Sequence, residues 1–150
     1  MQPNDLDLLA RIATGFAVTF AIGFERELRG SSAGDRTFSL IGTAATAVAA
    51  VTGKSSPQAL AGIITGVGFI GGGLILKGRD DIVRGITTAA AVFAVAAVGL
   101  VLGLGHFGLG ACLGALTLLI LELRYLPGVR VLDARRYAGS FRSDEQPPSP

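Results

Sequence analysis

The chain has 150 residues, half of them hydrophobic and only 16% charged, with a mean hydropathy of +0.57 and a formal net charge of +2. A water-soluble domain carries about a quarter charged residues, so the composition argues for lipid as the solvent. A single cysteine, Cys112, excludes an internal disulfide and a cysteine-based metal cluster.

The length suits one domain, and the apolar runs divide it into spans. Leu6 to Phe24 reads as the first, interrupted by Arg11 near its start, with Gly15, Thr19 and Gly23 forming a small-residue seam at four-residue spacing. Asp5 and Asp7 stand where a cleavable signal would carry Lys or Arg, so this run reads as a retained helix. A polar link, Glu25 to Arg36, leads to a second span, Thr37 to Gly53. After a turn at Lys54 to Gln58, in which Pro57 can open the next helix, a third span covers Ala59 to Leu76. The charged link KGRDDIVR precedes a fourth span, Gly85 to about Gly105, and a break at GLGHFG separates it from a fifth, Phe107 to Leu123. About 20 apolar residues cross a hydrocarbon core of about 30 Å. The expected fold is therefore an all-α integral membrane bundle of about five helices over residues 1–126. A basic tail over 127–150 follows, disordered at its DEQPPSP end.

Charge placement orients the bundle. Arg26, Arg29, Arg36, Lys77, Arg79, Arg84, Arg124, Arg130, Arg135, Arg136 and Arg142 fall on one side of a five-span chain, and only Arg11 and Lys54 on the other. The positive-inside rule puts the first group in the cytoplasm, with the amino terminus outside and the carboxyl terminus inside.

Within the third span, Gly62, Gly66 and Gly73 share one helix face and Gly68 and Gly72 another. Small residues on two faces admit two close neighbours, which makes this the expected central, helix-packing span. Gly66, Gly68 and Gly71 also spell G-x-G-x-x-G, but that motif cradles phosphate only between a strand and a helix. Here it lies inside an apolar run, where packing is the better reading.

Glu25 and Arg26 close the first span and Arg84 opens the fourth, followed by Thr87 and Thr88. Two readings stand side by side. One is an ordinary solvated helix end with capping threonines. The other is a small polar site in which Glu25 or Arg26 pairs with Arg84, Asp81 or Glu122. Asp80 and Asp81 read as solvated link residues, His106 as an interfacial turn residue and Cys112 as a small apolar one. Every acidic residue lies outside the apolar centres or at their edges. Ion-coupled transporters usually keep an ionisable group in mid-membrane. No metal ligand set, cofactor motif or P-loop is expected, and no nucleic-acid partner.

Three ordered segments, GFERELRGSSAGDRT, GIITGVGFIGGGLILKG and VRGITTAAAVFAVAAVGLVLGLGHF, resemble the membrane domain of the MgtC/SapB family of bacterial inner-membrane proteins. The resemblance implies a multi-pass protein tied to growth under magnesium limitation and, in pathogens, to survival inside host cells. It implies regulation of other membrane machinery, the proton-translocating ATP synthase or a magnesium transporter among the candidates. By position it assigns characteristic polar residues to Glu25, Arg26, Gly34, Arg36, Arg84 and Thr88. Where some members carry Arg before the third span and Asn at its RG-L-N-T segment, this chain has Gln58 and Thr87. Longer members add a soluble carboxyl domain where this chain has its short tail. The expectation is a non-enzymatic regulator that binds another membrane protein, or itself, through its small-residue faces. The alternative is a small magnesium or cation permease acting as an oligomer, with Glu25 and Asp81 near its cytoplasmic mouth.

Overall fold

A computed structural model describes residues 3–77, 83–123 and 125. Asp80, Asp81 and the tail from 126 onward, on which several expectations fall, lie outside the described residues. Five α-helices account for most of the rest: α1 Pro3–Leu28, α2 Asp35–Thr52, α3 Pro57–Gly73, α4 Ile86–Gly103 and α5 Phe107–Glu122. Two are long and apolar enough to cross a membrane, α1 from Asp5 onward and α4. The chain divides into two compact units, Met1–Thr117 and Leu118–Pro150; the described part of the second is the end of α5 and the residues just after it.

Helix boundaries follow local chemistry. α1 runs four residues past the expected end, because Glu25 to Leu28 are good helix formers and the chain turns only at Gly30, with φ 66°. Pro57 opens α3. α3 stops at Gly73 rather than Leu76, and Leu76–Lys77 (β1) pairs antiparallel with Val83–Arg84 (β2), Leu76 opposite Arg84. The expected break after α4 is a left-handed turn at Gly105, φ 88°. There Gly105 N–H bonds to Leu102 O at 2.9 Å and His106 N–H to Val101 O at 3.1 Å, the two bonds of a Schellman cap. Arg11 satisfies a further carbonyl of this helix end, donating to Gly103 O at 2.9 Å while pairing with Asp7 at 2.6 Å.

The core of the first unit lies where α2 packs between α1 and α4. Phe38, Ile22, Leu102, Val92, Val95 and Val98 are fully buried, together with Thr19 and Thr46. Glycine and threonine interlock across this seam. A methyl group added at Gly15 would overlap Thr46, and one at Gly42 would overlap Thr19. On the other side of α2, Gly99 lies against Gly42 and Ala45, and Gly103 against Ala49. Each buried threonine hydroxyl turns back onto its own helix, Thr19 to Gly15 O and Thr46 to Gly42 O, both at 2.8 Å.

This corrects the expectation for α3. The helix flanked by two close neighbours is α2. Among the described residues nothing from a neighbouring element lies within 4 Å of a methyl group placed at Gly62, Gly66, Gly68, Gly72 or Gly73. α3 meets α4 instead through Val67 and Gly71, the latter against Ala89. Its remaining surface is open, with Phe69 86% exposed. Apolar side chains also stand outward elsewhere in the first unit. Leu40 and Val51 do so on α2, and Phe16, Phe20 and Phe24 form a ladder on α1 with ring centroids 5.6 and 6.1 Å apart. So much outward apolar surface suits a hydrocarbon solvent and not water.

Candidate functional site

Of the polar residues singled out in the sequence, Glu25 and Arg26 lie at the end of α1 and Thr88 at the start of α4. Glu25 and Arg26 are 9% and 8% exposed. Arg26 grips the carboxylate with two nitrogens, Nε to Oε2 at 2.6 Å and Nη2 to Oε1 at 2.9 Å. Arg29, one turn on, brings Nε to 3.6 Å from Oε1. A buried carboxylate is costly unless its lone pairs are taken, and here two guanidinium groups of its own helix take them. Glu25 thus pairs with Arg26 and Arg29, and not with Arg84 as one reading expected. Arg84 is exposed in β2.

The turn after α1 carries the next residue into place. Gly30 N–H bonds to Glu27 O and Ser31 N–H to Arg26 O, both at 3.0 Å, a second Schellman cap. Its left-handed residue is Gly30, and it aims Ser31 at α4. Ser31 Oγ lies 3.1 Å from Thr88 Oγ1. Thr88 is buried, three residues after the Gly85 that starts α4 in the left-handed region at φ 89°. Gly85 has a second constraint, because a side chain there would run into the carbonyl of Leu74. Farther along the link, Glu27 lies over Gly34, leaving no room for a methyl group.

Arg36 does not join this cluster. It is exposed in the first turn of α2, where its backbone N–H bonds to Asp35 Oδ1 at 2.6 Å. Arg29, Ser31 and Glu27 were not foreseen as site residues. The i,i+4 spacing of Glu25 and Arg29 was the available signal for the first. Nothing local could have pointed to Ser31. Among the described residues no group of three or more His, Cys, Asp or Glu side chains could hold a metal ion. The cluster combines an ion pair within the end of α1 and a hydroxyl bridge, Ser31 to Thr88, that joins the turn after α1 to α4.

The family model for the MgtC family matches residues 12–126. The chain belongs to the MgtC family. The match contains the whole of this cluster and all of α2 to α5. Relatives include a protein of Escherichia coli K12 named "Putative magnesium transporter YhiD", 40% identical over 129 residues, covering 77% of this chain and 57% of YhiD. SapB of Bacillus subtilis is 30% identical over 138 residues, 83% of this chain and 59% of SapB. MgtC of Brucella abortus is 44% identical over 101 residues, 64% of this chain and 42% of that protein. The chain spans about half the length of the curated relatives it matches. No solved structure matches it.

Proposed function

We propose that this chain is a multi-pass bacterial inner-membrane regulator in magnesium homeostasis, non-enzymatic, acting by binding another membrane protein through the open face of α3. Membership of the MgtC family supports the magnesium link, and the outward apolar surface supports insertion in a bilayer. All five helices cross or enter the membrane, with the arginine-rich end of α1, α2 and α4 in the cytoplasm.

One observation carries the partner reading. Gly15, Gly42, Gly99 and Gly103, at helix contacts inside the first unit, abut a neighbour so closely that a methyl group would overlap it. Gly62, Gly66, Gly68, Gly72 and Gly73 of α3 meet no such neighbour among the described residues. Small faces in membrane helices serve close approach, and glycine in a helix interior costs about 1 kcal/mol relative to alanine. A helix that bears this cost without using it inside its own fold is suited to receive a helix from outside. Phe69, between Gly68 and Gly72 in the chain, stands 86% exposed on this helix.

The permease alternative is in line with the name of a relative, "Putative magnesium transporter YhiD". The Glu25 carboxylate, held by two guanidinium groups, supports the regulator instead, because a coupling carboxylate must be open to its ion. Copurification of the full chain from native membranes under magnesium limitation is the test. The regulator reading expects a second membrane protein that is lost on Gly68→Leu. Magnesium flux into liposomes containing only this chain, abolished by Glu25→Gln, would establish the permease in its place.

A further inference from the structure

An apolar groove of about 370 Å3 runs between α2 and α3. Leu40, Ala44 and Val48 of α2 and Ile63, Gly66 and Ile70 of α3 form its walls. The residues 53–56 reverse the chain between the two helices, so the groove runs along their shared axis. We propose that it is a lipid site, holding an acyl chain of an anionic glycerophospholipid whose phosphate is bound by Arg36.

The dimensions favour an acyl chain over a helix. From Leu40 to Val48 the groove is about 12 Å long at 1.5 Å per residue. That is close to half of a hydrocarbon core of about 30 Å, the depth of one leaflet. A helix seated against α2 and α3 would be expected to use their whole length.

The charge favours an anionic headgroup. Arg36 stands one turn before Leu40, so it sits beyond one end of the groove, at interfacial depth. Other arginines of the first unit are engaged: Arg11 with Asp7, Arg26 and Arg29 with Glu25. The Arg36 guanidinium is exposed and forms no ion pair among the described residues. The adjacent Asp35 carboxylate is turned to the Arg36 backbone N–H. A phosphate there would receive a guanidinium in the bidentate manner that arginine favours.

The inference rests on α2 and α3 lying in the bilayer, as proposed above. Native mass spectrometry of the full chain, released from membranes of equal phosphatidylglycerol and phosphatidylethanolamine, tests it. The expected result is retained phosphatidylglycerol, a preference that falls about fivefold in Arg36→Gln and survives in Arg36→Lys. Ala44→Phe, which fills the groove, should release both lipids. No retained lipid, an unchanged preference in Arg36→Gln, or a lipid-free dimer with a second copy in the groove would each overturn the proposal. Arg36 is exposed, so its result stands whether or not Ala44→Phe folds. Failure of the chain to sediment with vesicles at all would instead overturn the membrane reading.

Discussion

Ser31 and Thr88, 57 positions apart in the chain, face each other across 3.1 Å and tie the turn after α1 to the first turn of α4. Thr88 is buried and Ser31 half-buried, so the Thr88 hydroxyl depends on Ser31 for its hydrogen bond. Removing Ser31 leaves Thr88 unsatisfied, at a cost of about 1–2 kcal/mol. Thermal unfolding in detergent should show Thr88→Val and Ser31→Ala each lowering Tm. The double variant should lose less than the sum of the two. Strict additivity would mean that the pair does not hold the helices together.

Glu25 and Arg26 form an ion pair within the end of α1. Breaking a buried ion pair from one side leaves an uncompensated charge and costs about 3–5 kcal/mol, whereas removing both ends is far milder. Arg26→Met is therefore expected to destabilise the chain more than Arg26→Met with Glu25→Gln. Denaturant titrations of the two variants give the comparison. Arg29 lies within 3.6 Å of the same carboxylate, so Arg29→Ala should cost less than Arg26→Ala.

Arg11 makes a third contact, at the opposite end of α4. Its guanidinium caps Gly103 O and leans on Asp7, with the side chain a quarter exposed. A cation at a helix carboxyl end contributes about 0.3–1 kcal/mol where it is exposed. Arg11→Gln is expected to cost about that much, read as early exchange of the amides in the last turn of α4. Unchanged exchange there would remove the cap.

Glycine substitutions separate the internal seam from the open face. Gly42→Ala sets a methyl group against Thr19 and is expected to cost about 1–3 kcal/mol by overpacking. Gly68→Ala meets nothing and should leave the fold intact, or stabilise α3 by up to about 1 kcal/mol. Equal losses at the two positions would mean that α3 packs inside the chain after all.

The helices were largely legible because apolar runs punctuated by Gly, Pro and charge are local signals. The seam Gly15, Thr19 and Gly23 was legible for the same reason, since a four-residue period is a property of one helix. Which helix lies in the middle was not. Gly62 to Gly73 is the richest glycine stretch, but composition records only that a close approach is tolerated, not that one is made. The short β1–β2 pairing was missed because two-residue strands carry no period. At the site, Glu25 and Arg26 stood out as charges at a span end. Thr88 was marked by the family resemblance, whereas its partner Ser31 depends on the left-handed turn at Gly30 and on a tertiary contact that no local pattern encodes.

In the proposed function α3 offers its glycine-rich surface to another membrane protein. A photo-reactive residue in place of Phe69, 86% exposed on that helix, tests this in cells grown at low magnesium. The expected result is a crosslinked band to a second membrane protein that Gly68→Leu abolishes. Adducts to lipid alone, unchanged by Gly68→Leu, would contradict it.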